Sequence, residues 1–183
     1  MKKAAAIGNI IFIYLVAMLP VLLMADGKNP LITFMWKRLF SRNIFVPLGI
    51  LLLFGILMYL INFAFLIKVW KGTWDAWELC RLNMIVKLVQ IPAYVFIFFL
   101  GLLCTVMIFT IGITLAFMLL DLFAVGMTGL FATAGFRSLK KEQKITGKMQ
   151  ALYSFASFLF CIDVVIAILG FKLSKPAADF HSE

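Results

Sequence analysis

Apolar runs alternate with short basic segments along this chain, and the longest run, Leu88 to Phe136, holds 49 residues with one charged side chain, Asp121. As a single helix it would be roughly 73 Å long, more than twice a ~30 Å hydrocarbon core, so it is expected to fold back as two spans. A turn at Thr110-Ile111-Gly112-Ile113 leaves 22 residues before it and 23 after, with Gly101 as the rival position. Three further runs bring the expected spans to five, at residues 4–25, 44–67, 88–109, 114–136 and 149–171. The fold class that follows is all-α: a polytopic integral membrane helical bundle forming one domain over residues 1–183, with short interfacial amphipathic helices beside the spans.

The segments between the runs fit this picture. Lys2 and Lys3 open the first span and Asp26-Gly27-Lys28-Asn29-Pro30 closes it. Its apolar core is too long for a cleaved signal and Leu23-Met24-Ala25 is no cleavage site, so it reads as a retained helix. Leu31 to Phe40 interleaves Phe34, Met35, Trp36 and Leu39 with Lys37 and Arg38, the pattern of a short helix lying in the interface. Ser41-Arg42-Asn43 offers caps to the second span, whose first turn tolerates Pro47. Trp70, Trp74 and Trp77 lie among charged residues and mark a membrane interface, which predicts a surface helix over Gly72 to Val86.

Composition removes the soluble alternatives. Hydrophobic residues make up 64% of the chain, mean hydropathy is +1.09 and Phe occurs 20 times, beyond what a soluble domain of this size tolerates. The net charge of +9 comes from Lys and Arg flanking apolar runs, so lipid headgroups are the expected counterions and no nucleic acid is implied. With the N-terminus inside, the five-span arrangement places 11 Lys and Arg on the cytoplasmic side and 6 outside. A bacterial cytoplasmic (inner) membrane, a cytoplasmic N-terminus and an outside C-terminus follow as expectations. Cys80, Cys104 and Cys161 lack metal or redox spacing and read as buried thiols.

Polar groups placed inside the apolar runs are the candidates for function, because an ionisable side chain there costs a few kcal/mol. Asp121 and Asp163 lie ~12 and ~14 Å from the outer ends of their predicted spans, so they are expected to face each other across one interhelical space. Such a pair would hold a shared proton or a bound cation. Thr114, Asp121, Thr128, Ala132 and Gly135 fall within roughly 60° on one helix face, a small polar stripe suited to a crevice or to close helix packing. On the last span Asp163 shares its face with Ala156, Ala167 and Gly170. Asn83, Lys87, Gln90 and Tyr94 form a second stripe at spacings of four, three and four, a cytoplasmic polar mouth in which Lys87 would snorkel to headgroups and Tyr94 would anchor at the interface. Asn9 and Asn62 are lone amides expected to bond between helices.

An enzyme is the reading these residues support least. The sole histidine is His181, the three glutamates lie outside the apolar spans, and Ser154 and Ser157 have no base nearby in sequence, so no catalytic residues, metal ligands or cofactors are expected. The paired aspartates resemble those of intramembrane aspartyl proteases, but Leu119-Leu120-Asp121 and Cys161-Ile162-Asp163 replace that family's Gly-x-Gly-Asp signature. The expected function is that of a non-enzymatic integral membrane protein acting through association with other membrane components, as an accessory subunit or immunity-type protector. The alternative is a small proton- or cation-linked carrier or channel working as an oligomer. Partners under either reading are the lipid bilayer and either further copies of the chain or another membrane protein. A polar stripe lining a hydrated cavity would favour transport, and burial against a helix would favour association.

Overall fold

A computed structural model describes residues 2–24, 34, 45–106, 111–159 and 162–175. Its described residues form α1 (Lys2–Met24), α2 (Phe45–Lys71), α3 (Ala76–Val106), α4 (Ile111–Lys141), α5 (Gly147–Ala156) and α6 (Ile162–Ser174). Four of these helices, α1 to α4, are long and apolar enough to cross a membrane. The interfacial helix expected over 31–40, the turn residue Thr110, and the side chains of Cys104, Thr114 and Cys161 lie outside the described residues.

The first four helices alternate in direction, and one end of the bundle gathers the charged residues. Lys2 at the start of α1 pairs with Glu78 at the start of α3. Lys141, in the last turn of α4, donates to the carbonyls of Val69, Trp70 and Gly72 at 2.8, 2.9 and 2.5 Å, satisfying acceptors that the end of α2 leaves open. Glu142 accepts from the Ala76 amide at 2.8 Å, placing a carboxylate at the N-terminus of α3. Consecutive residues after α4 thus tie down the end of one helix and the start of the next. Gln143 takes a positive φ of 58°, and Lys144 N–H returns to the Leu139 carbonyl at 3.0 Å, which stops α4 in a Schellman turn.

Helix boundaries correct the sequence reading in three places. The Trp-rich segment is not a separate surface helix over Gly72 to Val86; from Ala76 onward it is the opening of α3, whose 31 residues run unbroken through Pro92 to Val106. Residues 111–113 already belong to α4 and Gly101 lies inside α3, so any reversal between the two falls in residues 107–110. The first shift has a physical cause: a helix continues past the hydrocarbon limit when its terminal turns are amphipathic enough to remain in the interface, as those from Ala76 to Asn83 are.

The third correction concerns the last apolar run. Residues 149–171 are not one spanning helix but two short ones, α5 and α6, joined through a turn that begins at Ser157. Thr146 caps α5 by accepting from the Met149 amide. The chain then doubles back, because Lys144 reaches the Ser174 carbonyl at 3.0 Å and Phe171 stacks on Trp77 with ring centroids 4.8 Å apart. Phe158 at the tip lies against Gly129, where an added Cβ would stand 2.7 Å from its ring. Gly129 is twelve residues from the end of α4, so the hairpin penetrates ~18 Å, about two-fifths of the length of that helix.

Ser174 and Lys175 therefore lie at the same end of the bundle as Lys2, where a fifth span would have put them at the opposite end. The charge distribution gives the physical reason. Lys2, Lys3, Lys68, Lys71, Arg81, Arg137, Lys140, Lys141, Lys144, Lys148, Lys172 and Lys175 all sit toward this basic end, whereas Lys28, Lys37, Arg38 and Arg42 belong to the connection from α1 to α2. Doubling back sharpens the segregation of basic residues that a fifth span would have blurred.

Candidate functional site

The polar side chains of the bundle interior meet where the tip of the α5–α6 hairpin touches α3 and α4. Lys87 of α3 is fully buried, eleven residues or ~16 Å along its helix from Ala76. Its ammonium bonds the Asp163 carboxylate at the start of α6 and donates to Thr128 Oγ1 of α4 at 2.5 Å. Thr128 hands its own proton to the carbonyls of Ala124 and Val125, both at 3.1 Å, which frees its oxygen to accept from Lys87. Asp163, in the first turn of α6, also accepts from the Val164 amide at 2.8 Å, so the carboxylate sits at a helix N-terminus while it holds the lysine. Such a pair satisfies two charges that neither lipid nor apolar side chains would solvate.

This arrangement corrects two expectations about the stripes. Lys87 does not snorkel to headgroups, and Tyr94 is buried at two turns farther from the basic end, not at an interface. Lys87 reaches inward because α6 brings it a carboxylate at its own depth.

Gln90 donates to the Asn9 carbonyl of α1 at 2.9 Å, and Tyr94 lies against Gln90 and close to Thr128. Asn9 and Asn62 exchange amide hydrogen bonds of 3.2 and 2.8 Å, joining α1 to α2, and Asn62 donates as well to the Met58 carbonyl. Asn83 is buried one turn below Lys87, and its Oδ1 has no partner among the described residues.

Asp121 and Asp163 do not face each other at one depth. Asp163 is level with Lys87 and Thr128, while Asp121 lies seven residues beyond Thr128 on α4, ~10 Å nearer the opposite end. The equal depths inferred from sequence rested on α6 running the other way. Asp121 still senses the charges of Asp163 and Lys87, and its Oδ1 is buried without a hydrogen-bond partner among the described residues. On α6 the buried face is Asp163, Ala167, Gly170 and Ser174, as the helical spacing predicts.

The cluster opens sideways. A pocket of about 330 Å³ lies between the middle of α3 and the start of α6, lined by Ile91, Tyr94, Val95, Phe98, Phe99, Asp163 and Val164. Val95, Phe98 and Phe99 are also exposed on the outer, lipid-side face of the helix. Among the described residues no group of three or more His, Cys, Asp or Glu side chains is placed to hold a metal ion.

Sequence reasoning named Lys87, Thr128, Asp121 and Asp163 but distributed them over separate stripes, and it treated Asn9 and Asn62 singly. The available signal was charge matching: two carboxylates lie well inside the apolar runs and Lys87 borders one of them, so the lysine is a candidate partner for one of the carboxylates. Together the fold and interior define an α-helical membrane bundle with a half-depth helical hairpin. Comparison with protein families, with curated proteins and with solved structures finds no match for the chain.

Proposed function

We propose that this chain is a non-enzymatic integral membrane protein that acts by associating with other membrane components, as an accessory subunit or a protector of the immunity type. The observation that carries this reading is where the interior polarity goes: Lys87, Gln90, Thr128 and Asp163 are buried against neighbouring helices, Lys87 bonded to Thr128 and Asp163 and Gln90 to the Asn9 carbonyl. What remains for recognition is the outer apolar surface, including Leu53, Leu57 and Leu60 along α2. Twelve basic residues at one end favour that end as cytoplasmic, in a bacterial inner membrane. A photoreactive phenylalanine analogue at Leu53, Leu57 or Leu60 should give a protein adduct of defined mass in native membranes. Lipid adducts alone at all three positions would remove the reading.

A second reading, the proton- or cation-linked carrier, is favoured by the charge count within the cluster. Lys87 pairs with Asp163, and Asp121 lies farther along α4 with its Oδ1 unpartnered among the described residues, so one negative charge is left for a proton or a cation to balance. The hairpin forms one wall of that site through Asp163 and Val164. Proteoliposomes loaded with a pH dye should then show proton leak through wild type that Asp121→Asn abolishes. Leak no faster than in empty liposomes would end this reading.

A further inference from the structure

We propose that the pocket between α3 and α6 binds a hydrophobic organic cation that reaches it from the lipid, and that the cation displaces one proton held on Asp121. The proposal deepens the carrier reading by naming its ligand class, but it requires only binding.

Three observations converge on this class of ligand. The pocket is walled almost wholly by apolar and aromatic side chains, so a hydrated inorganic ion would have to shed water against one carboxylate and one phenol, far short of the oxygen cage such ions need. Its volume of about 330 Å³ suits a small molecule and is too small for a length of partner helix. Asp163, Tyr94, Phe98 and Phe99 are among its lining residues, so one acidic and three aromatic side chains border it, a combination suited to a diffuse positive charge.

The charge balance supplies the coupling. The titratable groups that interact electrostatically with Asp163 are Lys87 and Tyr94 from α3 and, ~10 Å nearer the opposite end, Asp121 from α4. With Lys87 charged and the pocket empty, neutrality in the apolar interior requires one of the two carboxylates to carry a proton. Asp163 is held by Lys87 and the Val164 amide, so the proton belongs on Asp121, whose Oδ1 has no partner among the described residues. Tyr94 lies two turns along α3 from Lys87, as Asp121 lies two turns along α4 from Thr128, and Lys87 bonds Thr128, so a cation beside Tyr94 lies near the level of Asp121. Its arrival makes the proton on Asp121 superfluous, and that proton leaves for solvent.

Tetraphenylphosphonium is the probe, added to the full chain in nanodiscs of neutral lipid. Saturable binding above that of empty discs is expected, weakening as pH falls, with about one proton released per cation bound. Asp121→Asn should abolish the release and weaken binding. Val95→Trp, which fills the pocket without touching the cluster, should abolish binding. The anionic tetraphenylborate, of the same shape, should not saturate.

Binding no greater than in empty discs would overturn the proposal and would mean that an acyl chain or a partner's side chains occupy the groove. Binding indifferent to Val95→Trp, or matched by tetraphenylborate, would overturn it too, as would binding without proton release. Cation binding in discs without proton leak in liposomes would retire the carrier reading alone, and leak without cation binding would retire the ligand assignment alone.

Discussion

Replacing Lys87 by methionine is expected to destabilise the bundle by about 3–5 kcal/mol, the cost of leaving a buried carboxylate without its partner. The side chain is fully buried, bonds Asp163 and Thr128, and has no route to a headgroup short of leaving the interior. Removing the opposite charge as well reverses the argument. The double variant Lys87→Met with Asp163→Leu should recover most of the loss, because two apolar side chains of similar volume then meet where the ion pair stood. Unfolding in mixed micelles of mild detergent and dodecyl sulfate measures both. Equal destabilisation in the single and double variants would show that the pair contributes through shape and not through charge.

The second large effect is all or none. In a variant without its three native cysteines, single cysteines at Lys3 and at Lys175 should label from the same side of the membrane in intact cells. Lys2 pairs with Glu78, and Trp77 one residue before it stacks on Phe171, so the two ends of the described chain are held within one layer of the bundle. With that layer cytoplasmic, an impermeant maleimide should reach neither position until the cells are opened. Labelling of Lys175→Cys alone in intact cells would restore a fifth span and dissolve the hairpin that brings Asp163 to Lys87. Those two results are linked: without the hairpin, the stability coupling between Lys87 and Asp163 should vanish as well.

Four of the helices were legible in the sequence because a bilayer tests hydropathy over a window of about 20 residues, and that quantity is local. The apolar run after Leu88, the Trp-rich segment before it and the basic flanks each state their preferred depth without reference to any distant residue. The same locality explains why Ala167 and Gly170 could be assigned to the face of Asp163: three- and four-residue spacing on a helix needs no partner.

What only the tertiary structure decided was the direction of α6, and with it the site. A run of 23 apolar residues satisfies the hydrocarbon equally well by crossing it or by entering and returning, so hydropathy over residues 149–171 is silent between the two. The choice depends on contacts far apart in sequence: Asp163 with Lys87, Phe158 with Gly129, Phe171 with Trp77. Once the chain returns, Asp163 moves to the depth of Lys87 and away from that of Asp121, and the two carboxylates read as a facing pair become one ion-paired carboxylate and one left over. Charge types and their helices were written in the sequence; which charge meets which is a property of the packed bundle, because electrostatic pairing in lipid is fixed by depth and depth follows from helix direction.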